Sequence, residues 1–217
     1  MCVLVSLDLS AAFDTIDYNI LLNRLCTRFG ITGSPLSWLT SYFSSRTQCV
    51  CVGNASSAVT DCYAGVPQGS VLGLILFTVY ILPIADLVLQ YGVSLQQYVN
   101  DTQLYIACSV NDEASALSTL ESCLASLHSW FCHSGLAQNY SKSEAIIFGT
   151  RQRLNSFPRP SVIHILSSSV PIFNYITTLS VTLESNLTLN KLVSSVSITI
   201  QLLPLVRTSL AFSQYVN

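Results

Sequence analysis

The chain has 217 residues, half of them hydrophobic and only 9% charged, with a mean hydropathy of +0.52 and a formal net charge of −2. That length suits one sizeable core, or one domain and the start of another. Nine Lys and Arg against eleven Asp and Glu exclude a self-sufficient basic cradle for nucleic acid. A charged fraction so far below the ~25% of soluble domains points to a membrane, or to covering parts outside the chain.

VLVSLDL, Val3 to Leu9, is an apolar run of one buried strand's length. A helix is predicted over 18–29, with Asp17 as N-cap, a stripe of Ile20, Leu21, Leu25 and Phe29, and Gly30 as its stop. Ser34-Pro35 has the form of an N-cap and first helical residue for a second helix, whose apolar face is Trp38, Leu39, Tyr42 and Phe43. Thr47–Val52 and Ala58–Ala64 read as strands around a Gly53-Asn54 turn. The loop AGVPQGS leads into an apolar stretch, Val71 to Leu89, nearly long enough to span a bilayer. Gly73, Pro83 and Asp86 interrupt it, and no Lys or Arg flanks it to set an orientation, so a core helix ending near Pro83 is expected rather than a membrane span.

Leu95–Val99 and Thr102–Ala107 are strand-like, separated by Asn100-Asp101, two residues that tolerate the positive φ of a tight hairpin. An amphipathic helix is expected over 112–134, with Leu117, Leu120, Leu124, Leu127 and Phe131 on one face and Gly135 after it. Strands are predicted at 145–148, 162–166 and 178–183, then a helix at 190–210 broken at Pro204. Strands and helices mix without regular βαβ alternation, so the class is α+β. The start, MCVLVSLDLS, lacks the form of a secretory leader, and the eight cysteines form no Cys-x-x-Cys pair. Reduced, mostly buried thiols of an intracellular protein are expected. Cys123, His128, Cys132 and His133 share a helix, but their spacing fits no familiar zinc pattern and no zinc site is expected.

Asp8 stands at the end of an apolar strand, where a carboxylate is costly unless paired or bound to a cation. Asp101 stands at a hairpin tip. Either alone is an ordinary capping or turn residue. Together they match a common way of holding Mg²⁺ for phosphoryl transfer.

LDLSAAFDTIDYNILLNRL (Leu7 to Leu25), AGVPQGSVLGLILF (Ala64 to Phe77), QQYVNDTQLY (Gln96 to Tyr105), LAQNYSKSEAIIFGT (Leu136 to Thr150) and TTLSVTLESNLTLNKLV (Thr177 to Val193) occur in this order. They resemble motifs A, B, C and D, and the hairpin leading to the thumb, of non-LTR (LINE-like) reverse transcriptases. The resemblance implies a right-hand polymerase palm with an antiparallel sheet and packed helices over 1–185, and the start of a truncated thumb over 186–217. It implies RNA-directed DNA synthesis with Mg²⁺ as cofactor, and an RNA template, a DNA primer and a deoxynucleoside triphosphate as partners. Asp8 matches the motif A metal ligand, joined by the backbone carbonyl of Leu9. Asp101 matches the second aspartate of motif C. Phe13 matches the gate against a ribose 2′-hydroxyl, Gln68 and Gly69 the loop along the nascent base pair, and Lys142 a proton donor to the leaving pyrophosphate.

The pattern breaks at Asn100, where the family carries the first motif C aspartate. Leu74 stands where a proline is usual and Ser180 where a glycine is usual. The chain begins at motif A, so the basic contacts of a fingers region are expected to lie outside it, and catalysis by residues 1–217 alone is not expected. Two other readings remain: a catalytically dead palm that still binds nucleic acid or a partner, and a membrane protein built on 71–89.

Overall fold

The computed structural model describes residues 1–109, 112–157 and 160–188; the helix predicted over 190–210, and almost all of the thumb expected over 186–217, lie outside the described residues. The first strands are β1 (Cys2–Leu7) and β2 (Leu9–Ser10), followed by helices α1 (Tyr18–Phe29) and α2 (Gly33–Phe43). Four two-residue strands follow, β3 (Thr47–Gln48), β4 (Cys51–Val52), β5 (Ala55–Ser56) and β6 (Thr60–Asp61), then α3 (Val71–Ile81) and α4 (Ile84–Leu89). The hairpin β7 (Ser94–Tyr98) and β8 (Asp101–Ala107) precedes the long α5 (Glu113–His133), then β9 (Ala137–Gln138), β10 (Glu144–Phe148) and α6 (Arg151–Ser156). Last come β11 (Val162–Ile165), β12 (Ser168–Phe173), β13 (Tyr175–Thr178) and β14 (Val181–Glu184). Among the described residues this is an α+β fold around a six-stranded sheet of order β11-β12-β10-β1-β8-β7.

The sheet's two faces follow from strand alternation. On β1, Val3, Val5 and Leu7 are buried, whereas Cys2, Leu4 and Ser6 are only partly so. Helices α4 and α5 pack on the buried face, bringing Leu120, Leu124, Leu127 and Phe131 into one core with it. On the opposite face the β13–β14 hairpin lies against β10, and Gln103 Nε2 donates to Thr178 Oγ1. Ile146 and Ile176, outside the main core, are buried there.

Helix α1 has the predicted limits: the Asp17 carboxylate accepts from the Ile20 N–H at 2.9 Å, and Gly30 ends the helix at φ 66°. Its stripe is narrower than expected, because Phe29 is exposed. Helix α2 starts earlier than Ser34-Pro35 suggests, with Thr32 in the N-cap position, and of its apolar face Phe43 is buried while Trp38 is exposed. The strand expected at 178–183 is instead two strands, because Leu179 and Ser180 turn the chain with φ of 48° and 65°. Both values suit a type I′ turn, which glycine would occupy without strain. Helix α6 and strand β12 were not predicted.

By length and composition, residues 71–89 could cross a membrane, and 39% of that stretch is buried within the protein. The buried part is contiguous: Phe77, Tyr80, Ile81, Ile84 and Val88 belong to the same core as β1 and α5. Val71, Leu74, Ile75, Leu82 and Leu89 stay exposed. Ser70 caps α3 by accepting from the Gly73 N–H at 2.9 Å, and at Leu82-Pro83 the chain passes into α4.

Candidate active site

Asp8 and Asp101 are brought together by strand register. β1 and β8 are antiparallel and their ladder ends at Leu7 opposite Thr102, so Asp8 and Asp101 are the next residues beyond its last pair. Asp8, Ser6, Asp101 and Gln103 share one parity and project from the face opposite to α5. The two carboxylates line one hollow of about 260 Å³ with Lys142, Glu144 and Thr178.

Two further hollows continue the cleft. One, of about 450 Å³, is lined by Asp8, Leu9, Phe13, Gln68, Asn100, Asn139 and Lys142. The other, of about 540 Å³, is lined by Phe13, Gln68, Gly69, Leu74, Tyr98, Asn100 and Asp101. All eight residues singled out from the sequence (Asp8, Leu9, Phe13, Gln68, Gly69, Asn100, Asp101 and Lys142) therefore border three neighbouring hollows that share lining residues.

The hairpin tip differs from the sequence expectation. Tyr98 pairs with Asp101, so the two turn residues are Val99 and Asn100, and Asp101 opens β8. Val99 carries the positive φ, 57°. A β-branched residue is an outlier in that region, and such strain costs roughly 1–3 kcal/mol. Val99→Gly is expected to relieve it and, after the added chain entropy of about 0.5–1 kcal/mol, to stabilise the fold by about 1 kcal/mol. A thermal melt reads this as a rise of about 2–4 °C; a lower melting point would show that Val99 sits there without strain.

Tethers invisible in the sequence hold Lys142 beside Asp8. The Asp8 N–H donates to Ser143 Oγ at 3.2 Å, and the Asp8 carbonyl accepts from the Asn139 N–H at 2.8 Å. Ser143 Oγ in turn donates to the Asn139 carbonyl, and the Lys142 N–H to the same oxygen, so residues 139–143 form a turn clasped to the end of β1. Leu9 follows in the short β2–β9 ladder, opposite Gln138.

Phe13 is anchored by its ring, 4.9 Å from that of Phe77 on α3, and by its carbonyl, which accepts from the Val66 N–H. The loop before Gln68 is pinned to the turn after β2 at Gly65. There φ is +91°, and an added Cβ would stand 2.8 Å from the Asp14 carbonyl oxygen. Gly65→Ala is expected to cost about 2 kcal/mol through that overlap and the unfavourable φ. A urea titration monitored by far-UV circular dichroism checks it; an unchanged midpoint would mean that the loop yields freely. At Gly69 the reason for glycine is different: φ is +77°, but nothing lies within 4 Å of a Cβ.

The cysteines depart from expectation. Among the described residues only Cys108 and Cys123 are buried, and Cys49, Cys51 and Cys132 are exposed. Burial pushes the Cys123 thiol up to about 11. His128 Nδ1 stands 2.5 Å from the Tyr140 hydroxyl, while Cys132 and His133 face outward on the same helix.

The family described as "Reverse transcriptase (RNA-dependent DNA polymerase)" matches residues 1–179. Apo telomerase from Candida tropicalis, truncated from the C-terminal domain, superposes with a TM-score of 0.60 at 14% identity, covering 87% of this chain and 35% of that one. Telomerase of the same organism in complex with a fragment of telomeric RNA gives a TM-score of 0.57 at 14% identity, over 87% of this chain and 29% of that one. The chain thus spans about a third of the telomerase chains it matches, and at such identity the likeness is one of fold. No curated protein matches the chain.

Domains of that family generally use divalent metal ions. The donors at the tip of β1 and the β7–β8 hairpin are all oxygens: the Asp8 and Asp101 carboxylates, the Asn100 side-chain carbonyl and the Leu9 backbone carbonyl. Their chemistry suits a hard cation, but with one negative charge fewer than a third carboxylate would bring. Among the described residues no three of His, Cys, Asp and Glu stand close enough to hold a metal.

Proposed function

Because the chain belongs to the reverse transcriptase (RNA-dependent DNA polymerase) family, we propose that it is the palm of a LINE-like retrotransposon polymerase whose nucleotidyl transfer is crippled at Asn100. The observation that carries this reading is the shared cleft of Asp8, Asp101 and Lys142, with Asn100 on its wall. The palm occupies residues 1–185 and the thumb begins after it. The substrates are an RNA template, a DNA primer and a deoxynucleoside triphosphate.

Asp8, Asp101 and the Leu9 carbonyl would hold Mg²⁺. When bound, the ion lowers the pKa of the primer hydroxyl and neutralises charge on the triphosphate. The protein supplies position. Phe13, backed by Phe77, walls the pocket where a ribose 2′-hydroxyl would enter. Gln68 and Gly69 border the nascent base pair. Lys142, clasped to β1 through Asn139 and Ser143, holds a proton within reach of the departing pyrophosphate. Asn100 offers one neutral oxygen and an NH₂ donor, and a donor beside a cation is repelled. Primer extension on an RNA template by parent and Asn100→Asp proteins, each joined to a reverse transcriptase fingers region, tests the proposal. Robust extension by the parent would show that Asn100 is tolerated.

A further inference from the structure

Between α2 and the Gly65 loop the chain makes a double hairpin. β3 pairs with β6 at its root and β4 with β5 at its tip, and nearly every residue is exposed. Cys49 and Cys51 lie on this arm with their Sγ atoms 3.9 Å apart, both free and exposed. We propose that they form a reversible oxidation site, in which Cys51 attacks a low-molecular-weight disulfide such as oxidised glutathione and Cys49 resolves the adduct into a Cys49–Cys51 disulfide. The proposal is independent of the polymerase reading.

Geometry distinguishes this pair from the other thiols. Cys51 Sγ lies within hydrogen-bond distance of Ser56 Oγ, 3.4 Å away across the β4–β5 turn. The Ser56 contact first, and the Cys49 contact second, hold the Cys51 thiol below its usual range. An accessible thiol of lowered pKa beside a second thiol is the arrangement of redox-responsive cysteines. Cys132, also exposed, has His128 Nε2 at 3.6 Å but no thiol beside it among the described residues.

The steps balance. The Cys51 thiolate attacks one sulfur of oxidised glutathione, forming a Cys51–glutathione bond and releasing one glutathione thiolate. Cys49, having given its proton to solvent, attacks Cys51 Sγ and expels the second glutathione thiolate. The pair loses two electrons, and one glutathione disulfide is reduced to two thiols. Alternate residues of an extended chain stand up to about 7 Å apart, at the limit of a disulfide's usual Cα span. Closure therefore strains the arm, and the bond is of the easily reduced, regulatory kind.

The test incubates the full chain with graded ratios of oxidised to reduced glutathione, quenches in acid, alkylates, and maps peptides by mass spectrometry. The parent is expected to lose two hydrogens in the peptide holding Cys49 and Cys51, to retain no glutathione there, and to revert with dithiothreitol. Cys49→Ser should accumulate one glutathione on Cys51. Cys51→Ser should slow modification of Cys49 by roughly tenfold. Circular dichroism confirms that these exposed substitutions leave the fold intact. Retained glutathione on the parent, a Cys51–Cys51 crosslink between chains on a non-reducing gel, or reaction of Cys132 as fast as that of Cys51 would each overturn the proposal.

Discussion

Asn100→Asp is expected to raise primer extension by about 10³-fold or more, once residues 1–217 are joined to a reverse transcriptase fingers region ahead of Met1. The magnitude follows from charge. A third carboxylate at the β7–β8 tip replaces a neutral oxygen and removes an NH₂ donor. If the restored carboxylate adds ~4 kcal/mol of transition-state stabilisation, the rate rises about a thousandfold. Asp8 and Asp101 already line one hollow, so the substitution adds a ligand to a cleft already formed. The fingers are included because positioning of template and triphosphate can be worth ~7–11 kcal/mol of the barrier. Four proteins separate the contributions: the parent, each change alone, and both together. Mn²⁺ titration provides a second readout, and tighter binding by Asn100→Asp should appear with or without the fingers. Metal affinity unchanged by Asn100→Asp would place residue 100 away from the ion.

What the sequence made legible divides along physical lines. Helix α1 could be read to the residue, because Asp17 and Gly30 each do at its ends what their chemistry predicts. The β7–β8 hairpin was legible as an element but not in its turn. Asparagine and aspartate tolerate left-handed backbone better than valine does, yet register puts Val99 there, since Asp101 must pair with Tyr98. Strand β12 was hidden by its serines and by Pro171, a residue that ordinarily argues against a strand interior. The arm of β3 to β6 has strands too short for alternation to register, and with them went the juxtaposition of Cys49 and Cys51. At the cleft, the side chains that line it could be read from motif order. The Asn139 and Ser143 bonds that hold them join residues more than a hundred positions apart, and no local pattern encodes them.

Arg24 is a half-buried residue whose loss should cost the fold heavily, and it carried no signal in the sequence beyond being a polar position on an amphipathic helix. Its guanidinium lies 4.4 Å from the Tyr80 ring centroid and 4.7 Å from that of Trp130. It donates to the Tyr80 carbonyl and, at 2.8 Å, to Ser134 Oγ. Among the described residues no carboxylate pairs with it, and burial lowers its pKa. The compensation comes from two ring faces and from a carbonyl near the C-terminal end of α3, where a cation is favoured. Tyr80, itself fully buried, passes the connection on through its hydroxyl to the Ser134 carbonyl at 2.5 Å, and receives the Asp17 N–H. One side chain thus ties α1, α3 and the end of α5 behind the segment that carries Asp8 and Phe13. Arg24→Ala removes the hydrogen bonds and both ring contacts and leaves the Ser134 hydroxyl and the Tyr80 carbonyl without this donor, for an expected loss of about 3 kcal/mol. In a chain of this size that lowers the melting temperature by about 6–12 °C. Arg24→Lys should recover less than half, because a point charge can neither stack flat between two rings nor reach both acceptors with a planar fork. Urea denaturation of the three proteins decides the matter. A Lys variant as stable as the parent would show that charge alone is required there, and an Ala variant within ~0.5 kcal/mol of the parent would remove Arg24 from the core of the fold.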